Sequence, residues 1–95
     1  MTEDELMSQV RAMIERHRLL WYHEHDSRRS PSGLPDLIIV GKRVLFRELK
    51  SESGTLRPGQ TRWRWALLAS GQDWSLWRPA DLASGRIARE LEALV

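Results

Sequence analysis

Leu6, Val10, Met13 and Ile14 recur at helical spacing behind the acidic opening Thr2-Glu3-Asp4-Glu5, which predicts an amphipathic helix from about residue 3 to about residue 18. Thr2 suits the N-cap, Glu5 stands at the capping-box position, and acids in a first turn complement the helix dipole. Leu19-Leu20-Trp21-Tyr22-His23 is a short β-prone run, ended by the polar, turn-rich stretch 26–33. Two strands follow at 36–40 and 44–50, joined through Gly41-Lys42-Arg43 as a tight hairpin. After the turn Glu52-Ser53-Gly54-Thr55, Pro58 opens a second helix carrying Trp63, Ala66, Leu67 and Ser70 and closing at Gly71. Asp73-Trp74-Ser75-Leu76-Trp77 alternates with period two as a fourth strand that Pro79 closes. Ser84 is placed to cap a last amphipathic helix through Ile87, Leu91 and Leu94. The order is α-β-β-β-α-β plus a terminal helix. Its β-α-β element requires a crossover, so the expected class is α/β, with a mixed central sheet flanked by helices. No repeat or linker interrupts the chain, and residues 1–95 read as one domain.

Composition changes this picture in three ways. A 95-residue chain has room for only a modest core, and five tryptophans against one tyrosine and one phenylalanine make much of that core indole. Trp63 and Trp65, two apart on one helix, cannot share a face, so one belongs inside and the other outside; Trp74 and Trp77 suit a core or an interface. There is no cysteine, which removes disulfides and thiolate metal sites and fits a reducing compartment. No apolar run approaches a membrane span and the N-terminus is acidic where a signal peptide would be basic, so a cytoplasmic protein without a membrane partner is expected. Third, the net charge of +2 is unevenly spread: basic side chains outnumber acids between Arg28 and Arg64, which suits a polyanion as well as it suits a solvated basic face.

The candidate chemistry lies in Pro35-Asp36-Leu37-Ile38-Ile39-Val40-Gly41-Lys42-Arg43-Val44-Leu45-Phe46-Arg47-Glu48-Leu49-Lys50. Side chains alternate along a strand, so Glu48 and Lys50 share a face. If Val40 pairs with Val44, Ile38 faces Phe46 and Asp36 faces Glu48. Directly opposed carboxylates repel unless a cation lies between them. Oxygen donors without cysteine or a paired-histidine motif point to a hard ion, Mg²⁺ with Mn²⁺ able to substitute, and Lys50 stands where it can orient a water or meet charge on a phosphoryl oxygen. On spacing alone, two strand-end acids and a salt-bridging lysine explain the same residues.

Gly33-Leu34-Pro35-Asp36-Leu37-Ile38, Phe46-Arg47-Glu48-Leu49-Lys50, Gly54-Thr55-Leu56, Gln60-Thr61-Arg62-Trp63 and Leu67-Leu68-Ala69-Ser70-Gly71, in this order, resemble the VRR-NUC family of the PD-(D/E)XK nuclease superfamily over nearly the whole chain. The eponymous Val-Arg-Arg string is not present. The resemblance implies a restriction-endonuclease-like core and a metal-dependent DNA endonuclease leaving 5′-phosphate and 3′-hydroxyl ends. It implies that Asp36, Glu48 and the main-chain carbonyl of Leu49 are metal ligands, Lys50 the catalytic lysine and Gln60 a helper that positions nucleophile or phosphate. An acid on the first helix completes the implied site, assigned to Glu5 with Glu3 as the alternative. Small stand-alone members look like phage or bacterial homodimers acting on branched DNA such as Holliday junctions, or on flaps.

Around this centre, Arg28, Arg29 and Ser30 are candidates for backbone phosphate contacts, with Arg57 and Arg62 extending the basic rim. His25, in the run His23-Glu24-His25-Asp26, is a candidate for holding the substrate strand rather than a metal, or an ordinary strand-end residue. Two other readings stand beside the nuclease: a non-catalytic DNA-binding module with the same basic face, and a small self-associating structural protein built on its tryptophans.

Overall fold

The structure, a computed structural model, describes residues 1–24 and 33–95; His25, Arg28, Arg29 and Ser30 lie outside the described residues. Helix α1 spans Glu3–Arg16. Its capping box closes as the sequence predicts: the Thr2 hydroxyl accepts from the Glu5 N–H at 3.1 Å, and the Glu5 carboxylate accepts from the Thr2 N–H at 2.8 Å. It ends two residues earlier than expected, because Arg18 turns the chain through a left-handed conformation with φ 56°. Strands β1 (Leu20–His23), β2 (Leu37–Val40) and β3 (Val44–Leu49) form an antiparallel meander. Helix α2 (Pro58–Ala69) crosses over to β4 (Asp73–Trp77), which lies parallel to β3, so the sheet is mixed in the order β1-β2-β3-β4.

The C-terminal part differs from expectation. Pro79 closes β4 and also starts a short helix, α3 (Pro79–Ala83), before α4 (Arg86–Glu92). Ser84 is the C-cap of α3, and Gly85, at φ 83°, stands at the N-cap of α4. The Ser84 hydroxyl still serves α4 by accepting from the Arg86 N–H at 3.3 Å.

One sheet face carries the core. Leu37, Ile39, Leu45, Leu49 and Trp77 meet Leu6, Val10 and Ile14 of α1 and Ile87 and Leu91 of α4, all buried, and burial of such side chains is the main favourable term in folding. Arg47 enters this layer almost fully buried, at 2% exposure. Its guanidinium donates to Glu90 at 2.8 and 3.1 Å, pairs with Asp73 at 3.0 Å and lies 5.4 Å from the centre of the Trp77 ring. A buried cation needs such partners. Glu90 also accepts from Trp77 Nε1 and Arg86; burial alone would raise its carboxyl, but these donors outweigh it and hold it below the ordinary value. On the other face α2 packs against β4, with Gln60 as its one fully buried side chain. Trp63 is half-buried and Trp65 is 59% exposed, the division expected from their spacing. Trp74 and Trp77 are both buried. No helix among the described residues is long and apolar enough to cross a membrane.

Candidate active site

The hairpin register is the one that opposes the two acids. Val40 pairs with Val44 and Ile38 with Phe46, and one step beyond the end of the ladder Asp36 and Glu48 are tied together. The Asp36 N–H donates to Glu48 Oε1 at 3.3 Å, and Asp36 Oδ2 accepts from the Leu49 N–H at 2.9 Å. Glu48 is 2% exposed and Lys50 is buried on the same side, with Lys50 Nζ 3.9 Å from Glu48 Oε2.

Gln60 reaches this pair from the first turn of α2. Its side-chain amide donates to Glu48 Oε2 at 2.8 Å while its carbonyl oxygen accepts from the Arg57 N–H at 2.9 Å, capping the helix. Close backbone packing fixes the approach. Gly33 has φ +89°, and a Cβ there would overlap the main chain of Gly59, so glycine lets the Pro35-Asp36 turn lie directly on the start of α2. One contact thus sets both the acid-bearing turn and the glutamine.

Asp36, Glu48, Lys50 and Gln60 line a cleft of about 500 Å³ together with Glu3, Glu24, Thr55 and Arg57. A smaller neighbouring cleft is lined by Glu3, Asp4, Met7, His23, Asp36 and Leu49, which brings Leu49 beside Asp36. Of the two candidate helix acids, Glu3 lines both clefts, whereas Glu5 closes the capping box and lines neither of them. Its carboxyl is held below the ordinary value by the hydrogen bonds from Thr2. Arg57 lines the cleft, whereas Arg62 is exposed on α2 and does not. Two lining residues were given no role at the site by the sequence. Thr55 stood only within the Gly54-Thr55-Leu56 motif, and Glu24 only within the run His23-Glu24-His25-Asp26. The Glu24 N–H donates to the Asp36 carbonyl at 3.1 Å, extending the β1–β2 register by one step.

The carboxylate pair itself shows whether these groups suit a divalent cation. Burial first, and the Asp36 charge second, push the Glu48 carboxyl up to about 8, against the opposing pull of Lys50. Near neutral pH the Glu48 carboxyl therefore retains its proton. Among the described residues no three His, Cys, Asp or Glu side chains gather closely enough to cage an ion. Two carboxylates, a carbonyl and remaining waters are a donor set that matches Mg²⁺, which keeps several waters and takes one or two carboxylates.

The chain is similar to a solved structure titled "VRR_NUC domain protein", with a TM-score of 0.70 and 22% identity over 97% of this chain and 89% of that one. The chain has the VRR-NUC fold. No family model matches the sequence, and no curated protein matches it. The αβββαβ order and the mixed sheet form the α/β core expected from the sequence. Asp36 and Glu48 sit in that core at the end of the β2–β3 hairpin, where it meets the crossover helix.

Proposed function

We propose that this protein is a Mg²⁺-dependent DNA endonuclease of the VRR-NUC family that cuts branched DNA, such as Holliday junctions, as a homodimer. The observation that carries the reading is the opposition of Asp36 and Glu48, with Lys50 and Gln60 in the same cleft. Asp36, Glu48 and the Leu49 carbonyl would hold the ion, and Glu3 is placed to complete the site from α1. Mg²⁺, when bound, supplies Lewis-acid polarisation of the phosphate and a more acidic water. Lys50 meets the negative charge that grows on the phosphoryl oxygens in the transition state, in a part of the cleft where burial strengthens its field. Gln60 is a positioning residue: its bond to Glu48 Oε2 fixes the orientation of the carboxylate that would hold the ion. Arg57, on the rim, is suited to a flanking phosphate. The products would be a 5′-phosphate and a 3′-hydroxyl. Two symmetric sites suit two cuts in a symmetric junction, and exposed Trp65 and Leu68 on α2 offer apolar surface for a second copy.

The test is end-labelled four-way junction, 5′-flap and linear duplex incubated with the protein in Mg²⁺ or in chelator. Metal-dependent cutting of the junction, lost in Asp36→Ala and Lys50→Ala while binding persists, is the expected result. Equal cutting of all three substrates would remove the branch specificity, and binding without cutting by the unmodified chain would make it a DNA-binding module.

A further inference from the structure

The carboxylates stand at the end of an ordered grid. On the α2 side of the sheet, the registers place Leu20, Val40 and Val44 in one row across β1, β2 and β3, then Tyr22, Ile38 and Phe46 in the next. The row after that is Glu24, Asp36 and Glu48. The intervening residues, Trp21, Leu37, Ile39 and Leu45, point to the core. Among the described residues α2 packs over β4 and leaves this half of the sheet open: Leu20 is 74% and Tyr22 51% exposed, and Ile38, Val40, Val44 and Phe46 are half-buried. Two uncharged rows with an aromatic at each end of the second therefore adjoin the acid row. Tyr22 is also oriented, because its hydroxyl donates to Glu24 Oε2 at 2.9 Å, which leans the ring along the strand toward the acids.

The size of this plateau decides what it fits. Strands lie ~4.8 Å apart and same-face rows ~6.7 Å apart, so two rows on three strands cover about 10 by 7 Å between backbones. That is the footprint of one or two nucleobases. A stable protein interface takes about 800 Å² from each partner, roughly ten times more. Aromatic side chains on an open sheet are a recurrent platform for unpaired bases, since every base offers a π-face.

We infer that this plateau receives unpaired nucleotides next to the scissile phosphate, with a base stacked on Tyr22 and floored by Ile38 and Phe46. The inference rests on the nuclease reading of the adjoining acids, and among branched substrates it favours those with unpaired nucleotides at the cut, such as flaps or junctions opened at their centre, over fully paired four-way junctions. A fully paired duplex keeps its bases stacked inside the helix and cannot present one to the sheet.

The test uses the full chain with single-stranded and duplex oligonucleotides, some carrying 2-aminopurine, in chelator so that binding is read without cleavage. Tyr22→Thr removes the ring but keeps a β-favouring residue, and Tyr22→Trp restores a stacking surface. Single-strand affinity is expected to fall about tenfold or more in Tyr22→Thr, with loss of 2-aminopurine quenching, and to return in Tyr22→Trp; duplex affinity is expected not to change. Equal single-strand affinity for all three proteins would overturn the inference. So would a Tyr22→Thr variant that changes only sedimentation, which would make the face a contact between copies. Tyr22-dependent binding with no Mg²⁺-dependent cutting would sink the nuclease reading and leave the plateau standing. Junction cutting and single-strand binding both indifferent to Tyr22 would do the reverse.

Discussion

Glu48→Gln should reshape the pH dependence of stability in the metal-free protein. The substitution is nearly isosteric, so the packing of the site is kept while the titrating group is removed. In the unfolded chain this carboxyl titrates near 4.5, and in the folded chain burial and the neighbouring Asp36 raise it to about 8. Below 4.5 both states carry the proton, and the folded site bears no penalty. As pH rises, the unfolded state ionises first, and folding then requires uptake of a proton. Above about 8 the folded state holds a buried anion facing Asp36. The stability associated with the protonated carboxyl is thus complete below 4.5 and is lost as pH rises through about 8. A displacement of that size corresponds to on the order of 5 kcal/mol, a large part of the 5–15 kcal/mol typical of a domain. Urea unfolding followed by tryptophan fluorescence in chelator, from pH 4 to pH 9, reads it directly. The unmodified chain is expected to lose midpoint steadily with pH, and Glu48→Gln to lose much less. Mg²⁺ at pH 8 should recover the unmodified chain and leave the variant unchanged. Parallel pH profiles for the two proteins would refute the account of the carboxylate pair.

Other substitutions probe the positioning of the site. Gly33→Ala should lower both the melting temperature and cleavage, because a Cβ there enters the Gly59 backbone; Gly71→Ala, at a similar φ of +83° but with nothing within 4 Å, should cost only about 1 kcal/mol and spare cleavage. Glu90→Ala removes a principal acceptor of buried Arg47 and should destabilise by about 3–5 kcal/mol in urea titrations. Glu3→Gln is expected to depress Mg²⁺-dependent cutting with little change in melting, whereas Glu5→Gln should lower the melting point slightly and leave cutting intact; the opposite pattern would return the helix acid to Glu5.

Much of the site was readable in the sequence because strand alternation is a rigid rule. Once Val40 was paired with Val44 across Gly41-Lys42-Arg43, the positions of Ile38 against Phe46 and of Asp36 against Glu48 followed without further choice. The capping box of α1 and the proline at the start of α2 marked helix ends for equally local reasons. What escaped was non-local. Arg47 sits on a strand in a basic segment and reads as surface charge. Its burial depends on Glu90 arriving from α4, 43 residues away. The contact of Gly33 with Gly59 is of the same kind: each glycine is unremarkable alone, and only their meeting shows why the turn needs one.

The choice between Glu3 and Glu5 shows how two roles compete for one side chain. Both acids lie in the first turn of α1, and both strengthen it through the helix dipole. Only one can be the third helical residue whose carboxylate folds back to the Thr2 N–H, and that bond commits Glu5 to the cap. Glu3, two residues earlier on the helix, is released from capping and faces the cleft beside Asp36. The same sequence signal that identifies the start of the helix therefore commits one acid to the cap and leaves the other at the cleft. An N-terminal acid read as a candidate ligand has first to be tested against the cap, because a carboxylate that satisfies an orphan backbone N–H is already spent.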